Sequence, residues 1–322
     1  MPSTVSLAAT RAKIYSADVW REGFEMSMFS KFASEKGDNA IKVKNDLTKS
    51  KGDSIVIPLA MKFTGAGVTS DATLEGNEEA QNYYSQEVTV LQRRWGWRDT
   101  GENDNQKITY SMREEAKHFL AGRYADYLDD TWMTNMAASP TATEIVWTGA
   151  VTSIVSIAAT DKLTLATIQA AKRKCKMHSP IVEPIMIDGK PHFVFLAHTY
   201  AMRDLWKDTA FLNAHYYANL RGDKNPLISG AEVLIDGVLI YDFERVPWVT
   251  DGASSAYVAY NMLLGKNAAV HAVAKPMFWR EKTFDYENQH GIAVGTIDVI
   301  AKSKFNSKDF GVIHCPTGAA NE

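Results

Sequence analysis

Cys175 and His178 stand three positions apart in the stretch KCKMH. That spacing puts a thiol and an imidazole on the same side of a helix, the start of a metal site. A zinc site takes about four ligands, and no second pair follows nearby. The two are read as residues at a helix end. Asp126, Asp129 and Asp130 form a carboxylate cluster of the kind that can do acid–base work. They sit among Arg113, Lys117 and Arg123, which favours a solvated or salt-bridged helix face. Gly65 and Gly67 begin a dinucleotide-type pattern, but the third glycine and the following helix are missing. The chain carries no GxxxxGK[ST] and no GxSxG. The expectation is a protein that is not an enzyme and holds no cofactor and no metal.

Two basic groups remain. Lys172, Arg173, Lys174 and Lys176 can contact phosphate, yet cations at a helix C-terminus are also stabilised by the helix dipole. Arg93, Arg94 and Arg98 interleave with Trp95 and Trp97. That mixture suits a nucleic-acid surface and equally suits cations packed on rings at a strand edge. Arg221-Gly222-Asp223 reads as a turn.

These residues must be positioned by a substantial chain: 322 residues, 45% hydrophobic and 11% aromatic. That is enough for a core in roughly two lobes. Net charge is −3, so no global basic field exists and DNA contact would be local. Cys175 and Cys315, the only cysteines, form no disulfide framework and suit a reducing compartment. The N-terminus lacks a signal pattern, and no apolar run approaches the ~18 residues of a membrane span. A soluble protein made in the cytoplasm, with no membrane partner, is expected.

Residues 1–15 read as an extended arm. Ala17–Lys36 carries Val19, Trp20, Phe24, Met28, Phe29 and Phe32 at helical steps, predicting an amphipathic helix with an aromatic face. That face must bury against the rest of the chain or against another subunit; the residues leave both open. Met112–Ala138 predicts a helix about 40 Å long, opened by a Ser111/Glu114 capping box and stopped before Pro140. Further helices are predicted at Leu163–Lys176 and Tyr200–Asn219. Hairpins are predicted around Asp188-Gly189 and Asp236-Gly237, and later strands at Ala268–Lys275 and Gly291–Ser303.

One stretch does not suit a compact enzyme. Ile57, Leu59, Met61 and Phe63 fall on one face of an outgoing strand, with Pro58 fitting an edge position. The chain then runs through a Gly-rich acidic tip and returns at Tyr83–Leu91. Loops beyond about 12–15 residues are usually functional or disordered. A protruding hairpin that bears on a neighbouring molecule is expected.

Lys51-Gly52-Asp53, the strand, Gly65-Ala66-Gly67-Val68 and Leu74-Glu75-Gly76-Asn77-Glu78-Glu79 together resemble the major capsid proteins of N4-like (Schitoviridae-type) tailed phages. The likeness continues through Ala116–Asn135, His192–Asp208, Gly230–Pro247 and the closing strands, from about Trp20 to about Gly318. It implies an α+β chain with the tailed-bacteriophage and herpesvirus (Hong Kong phage type) capsid fold. The resemblance places an N-terminal arm at 1–46, an E-loop at 47–98 and a peripheral domain at 99–195 with a spine helix at 112–138. An axial domain follows at 196–270, then return strands and a C-terminal segment at 271–322.

It further implies a shell protein that assembles in the host cytoplasm as hexamers and pentamers around double-stranded DNA and ends in the virion capsid. Implied partners are copies of itself, a portal protein and a separate scaffolding protein, with a cement or decoration protein left open. Inter-subunit contacts are expected at Trp20, Phe24, Phe29 and Phe32, at Ile57, Leu59, Met61 and Phe63, and across the tip at Gly65, Gly67, Asp71, Leu74, Glu75, Gly76, Asn77, Glu78 and Glu79. A covalent cross-link through Lys62 and Asn77 is not predicted. The rival readings are a nanocompartment shell of the same fold and an oligomeric cytosolic enzyme.

Overall fold

A computed structural model describes residues 20–23, 26–48, 52–61, 63, 65, 67–107, 112–187, 189–218 and 233–321. Phe24, Lys62, Ser111 with its capping box, Asp188, Arg221-Gly222-Asp223 and the arm before Trp20 lie outside the described residues.

The strands in chain order are β1 Ala33–Ser34, β2 Ile41–Lys44, β3 Ser54–Ala60, β4 Tyr83–Thr89, β5 Leu91–Arg98, β6 Ile185–Ile187, β7 Lys190–Ala197 and β8 Val233–Ile235. They continue as β9 Val238–Asp242, β10 Trp248–Val249, β11 Val258–Leu264, β12 Ala269–Phe284, β13 Gln289–Lys302, β14 Lys304–Phe305, β15 Lys308–Asp309 and β16 Val312–Gly318. Helices and sheets alternate around two main cores, the mixed α+β arrangement expected.

The first core is a five-stranded sheet, ordered β1-β2-β12-β13-β5, with the helix Met112–Ala137 across one face. The helix forms where its periodicity predicts. Leu120, Tyr124, Leu128, Trp132 and Met136 recur at four-residue steps and are all buried. Their partners on the sheet include Ile292, Val294 and Ile300. Phe119, beside Leu120, points to solvent.

The second sheet runs β10-β11-β7-β9-β8, with β16 paired to β11 and β6 to β7. Helix Leu165–Met177 packs on it, started by Thr164, whose side chain accepts the Thr167 amide at 3.4 Å. Asp236 and Gly237 both take positive φ, at 50° and 70°. That is the backbone a two-residue hairpin turn demands, and it joins β8 to β9.

Two predicted elements differ. Tyr200–Asn219 is two helices, Thr199–Trp206 and Thr209–Ala218. Asp208 divides them: one of its carboxylate oxygens takes the Ala210 amide and the other takes the Leu165 amide across the fold. The single helix predicted over Ala17–Lys36 is also broken. Helical turns occur at 20–23 and Phe29–Phe32, and then Ala33–Ser34 pairs in parallel with Ile41–Lys42 at the sheet margin. The two late strands form one long antiparallel hairpin running from Ala269↔Lys302 to Phe284↔Gln289. The predicted strand at Ala268–Lys275 thus stops short of its real end. Phe278, Arg280, Lys282 and Phe284 continue it, where charge had masked the alternation.

Candidate assembly surfaces

The E-loop candidate is a real antiparallel ladder, β3 against β4, registered from Ser54↔Thr89 to Ala60↔Tyr83. Its base is anchored to its own subunit. Ile55, Ile57 and Val88 are buried against Val270 and Ala272 of the five-stranded sheet, with Val299 and Ala301 packed alongside. Gln86 reinforces the join by donating to the Lys302 carbonyl at 2.8 Å and accepting the Lys304 amide at 2.9 Å. Burial then fades along the strand. Leu59 and Met61 are half-buried and border a cleft of about 320 Å³ with His178, Pro180 and Ile181. Phe63 is 62% exposed and Leu74 58% exposed. Beyond Phe63 every described residue up to the return strand except Val68 is exposed.

The tip has internal order. Glu79 accepts the Gly65 amide at 2.6 Å, Glu78 accepts the Gly76 amide at 2.7 Å, and the Asn77 side chain donates to the Thr73 carbonyl at 2.9 Å. Gly67 and Gly76 hold φ of 70° and 86°, where a side chain would strain the turn. Two of the acidic residues thus shape the loop, while Asp71 and Glu75 face solvent.

The aromatic N-terminal segment is seated differently from the expectation. Phe29 is wholly buried, edge-on to Trp132 at 5.7 Å and to His271 at 5.2 Å. Phe32 lies 5.7 Å from Trp132 and edge-on to Tyr241 at 5.1 Å. Trp20 packs on Tyr124 at 5.3 Å. Phe29 and Phe32 are therefore core residues of their own subunit, not contacts with a neighbour. Ile57 is corrected in the same way. The reason for the first pair is Asp129, whose two oxygens accept the Met28 and Phe29 amides at 3.1 and 2.9 Å. That carboxylate fixes the short helix against the long one. Burial raises the Asp129 carboxyl above its ordinary value despite these two hydrogen bonds. Its neighbours Asp126 and Asp130 behave as the sequence predicts, both pairing with Arg245.

The other chemical candidates disperse. His178 turns one ring nitrogen to the Pro180 carbonyl at 2.7 Å and the other to Glu144 at 3.3 Å. Cys175 is buried nearby, its thiol pushed up to about 12 by desolvation. Among the described residues no three His, Cys, Asp or Glu side chains gather as metal ligands. Lys172 pairs with Asp236 at 2.8 Å and Lys174 donates to the Ile145 carbonyl. Arg93 lies over Tyr127 at 5.0 Å and Arg98 over Phe284 at 4.4 Å.

A family model described as "Phage capsid protein" matches this chain over residues 3–153 and 140–320. The chain belongs to the phage capsid protein family. It is similar to the major capsid protein of Pseudomonas phage KPP25, at 27% identity over 94% of this chain and 93% of the relative. Its fold is that of the capsid of Ralstonia phage GP4 (TM-score 0.81, 24% identity, 92% of each chain). The capsid of cyanophage Pam1 is equally similar (TM-score 0.81, 24% identity, 92% of this chain and 93% of that one). It is the major capsid protein of a tailed phage, a structural protein of the virion capsid and not an enzyme.

A capsid subunit has to resist load, and this one ties its two cores together with a buried ionic knot that no sequence motif announces. Lys302 at the end of β13 donates to the Ala138 carbonyl, at the end of the long helix, at 2.8 Å. It also pairs with Asp309 at 3.0 Å, with both side chains almost fully buried. Asp309 accepts the Thr141 amide at 2.8 Å and lies 3.4 Å from His314 on β16. Burial alone would raise the Asp309 carboxyl. His314, the Thr141 amide and Lys302 outweigh it and hold the group at about 2. Desolvation lowers both Lys302 and His314 below their usual ranges. The only sequence signal was a lysine and an aspartate flanking the Asn306-Ser307 turn, whose two residues have positive φ.

Proposed function

We propose that this capsid protein forms hexamers and pentamers that tile an icosahedral shell around double-stranded DNA. The hairpin within 47–98 reaches from each subunit to a neighbour. The observation that carries this is the division of the hairpin. Its base is locked to its own sheet by Ile55, Ile57 and Val88, and its tip from Phe63 onward is almost wholly solvent-exposed. An element with a fixed root and a free, structured tip suits contact with a second molecule. Many such symmetric contacts, each modest, add up to a stable shell.

Within this reading Phe63, Leu74, Asp71 and Glu75 make the contact, while Glu78 and Glu79 hold the loop's shape. The arm is 1–46, the peripheral lobe 99–195 with its spine helix, and the axial lobe 196–270. The chain is already in the second core by Leu163, ahead of helix Leu165–Met177 and β7, and β16 returns to the second sheet. Similarity of the 51–80 motif supports an N4-like subtype. A portal protein, a separate scaffolding protein and packaged DNA on the inner face complete the assembly. The phage family match favours this over a cargo-holding nanocompartment.

Deleting residues 66–80 tests the reading. The variant should remain a soluble folded subunit and yield no closed shells by negative-stain microscopy. Normal shells from that deletion refute the role given to the hairpin.

A further inference from the structure

Three rings lie nearly parallel beside the segment that follows β16. His198 faces Trp248 at 5.6 Å with 8° between the planes, and Trp248 faces Tyr257 at 4.0 Å with 9°. Trp248 also holds that segment in place: its indole Nε1 donates to the Ala319 carbonyl at 2.8 Å. The Ala319 amide donates to the Tyr257 carbonyl at 2.9 Å. Arg203 donates to the Ala320 carbonyl at 2.9 Å while lying 5.4 Å over the Tyr200 ring. Residues 319–321 are thus strapped to the second core by a ring stack and a guanidinium.

His198 has a second task. It precedes the helix Thr199–Trp206, and its Nδ1 accepts the Tyr200 amide at 3.2 Å. An acceptor there satisfies one of the amides that a helix start leaves open. The accepting Nδ1 places the neutral ring's proton on Nε2. A proton added to Nδ1 turns the acceptor into a donor facing another donor, and it sets a cation against the positive end of the helix dipole. The residue is 8% exposed. Burial pushes the imidazole below its ordinary range, outweighing the opposite pull of the Asp242 carboxylate at the end of β9. That carboxylate accepts the Thr199 hydroxyl at 2.8 Å. From β11 and β16 come the neutral Asn261, which accepts the His198 amide at 3.0 Å, and Thr317, which accepts from Asn261 at 2.8 Å. On the helix itself Arg203 and Asp204 pair at 3.2 Å, and Lys162 adds a contact to Asp204 at 3.6 Å.

We propose that His198 is a proton-operated latch on the segment after β16. Neutral, it caps the helix Thr199–Trp206 and backs the Trp248 ring that holds Ala319. Protonated, it gives up the cap, turns toward water and the Asp242 carboxylate, and leaves Trp248 bare on one face. The helix start and residues 319–321 then open together while both sheets stay paired. The His198 amide remains on Asn261, so the ring swings and the strand does not. Because the folded ring takes its proton less readily than the unfolded one, the stabilisation is present above about pH 6.5 and lost as pH falls below it. A single proton raises the open population by at most about ten-fold per pH unit, levelling off once the folded ring is itself protonated.

Hydrogen exchange read by mass spectrometry tests this on the full-length, unassembled subunit. Rates are compared between about pH 7.5 and about pH 5, either side of the ordinary histidine value, after correction for the intrinsic effect of pH. In the wild type, peptides reporting on 199–206 and on the residues after Gly318 should lose protection on the order of ten-fold on acidification, ahead of β7 and β11. His198→Asn keeps a strong cap that does not titrate; it should hold the helix start at both pH values and abolish the acid response. Trp248→Phe keeps a ring but loses the bond to Ala319. It should free the residues after Gly318 already at the higher pH and leave the acid response of the helix start in place. His314→Gln removes the imidazole of the ionic knot and should leave both local responses intact. The proposal is overturned if the two wild-type regions respond no more than β7 and β11, or if His198→Asn keeps the full response. Wild-type protection after Gly318 in Trp248→Phe overturns the part given to that ring. Should His198→Asn fail to fold, the wild type and His314→Gln decide: a response that vanishes in His314→Gln belongs to the knot and overturns the latch.

Discussion

Asp309→Asn removes one charge from the knot that joins the long helix, β13 and β16, while keeping the side chain's size. The Lys302 ammonium, 3.0 Å away and almost fully buried, then loses its counter-charge and keeps only neutral acceptors: the new carboxamide oxygen, the Ala138 carbonyl and a longer contact at 3.4 Å to that of Ser139. Breaking a buried pair from one side costs about 3–5 kcal/mol, because an uncompensated charge stays behind. For 322 residues, an unfolding entropy of about 2.1 cal/mol/K per residue gives roughly 0.7 kcal/mol/K. The expected fall in Tm of the unassembled subunit is therefore about 4–7 °C. Arg245→Ala is the control. It breaks two ion pairs, as Asp309→Asn does with Lys302 and, at 4.0 Å, Lys304, but the Asp126 and Asp130 side chains are 42% and 55% exposed. Exposed pairs contribute about 0–1 kcal/mol each, so that shift should be no more than about 3 °C. Thermal denaturation of both variants by circular dichroism checks the ranking. An Asp309→Asn shift no larger than that of Arg245→Ala refutes the argument that burial, not the number of ion pairs, decides the cost.

The same carboxyl predicts a pH response. Its folded value of about 2 lies below the ordinary 3.8, so its stabilisation is present above about pH 4 and lost as pH falls toward 2. The Tm gap between wild type and Asp309→Asn should close across that window. His314 is held neutral by burial, so stability should also decline as pH drops below about 6.5; His314→Gln should lessen that decline in a Tm-versus-pH series. Phe29→Ala should cost about 3–5 kcal/mol as a core cavity and reduce the soluble yield of subunit. Phe63→Ala should leave the subunit's Tm unchanged and lower shell yield, a contrast read by paired melting and pelleting. Gly295→Ala pushes a methyl into Phe278 and the Arg94 stem and should destabilise by about 1–3 kcal/mol.

The sequence alone determined the elements whose signals are local. Four-residue steps of Leu120, Tyr124, Leu128, Trp132 and Met136 define the long helix before any partner is known, because a helix shows one face at that period. Aspartate–glycine marked the β8–β9 turn through its backbone tolerance of positive φ. The alternation ending in Phe63, followed by 29 residues with no lysine or arginine, announced the protruding hairpin, since nothing in that tip can build a core. Tertiary structure decided which partner each surface meets. Periodicity says that Phe29 and Phe32 must be buried and is silent on where; the Asp129 carboxylate, a hundred residues away, settles it inside the subunit. The same three-aspartate cluster splits into one buried cap and two surface ion pairs, because Asp126 and Asp130, four residues apart, share the solvent side of the helix while Asp129 is rotated about 100° from Asp130 toward the core. Lys302, Asp309 and His314 become one buried site only when β13, the β14–β15 turn and β16 converge on the end of the long helix. His198, Trp248 and Ala319 come together only because β7, β10 and β16 all pair with β11. Contacts of that kind depend on which segments pair across the chain, and that follows from burying all the apolar faces together.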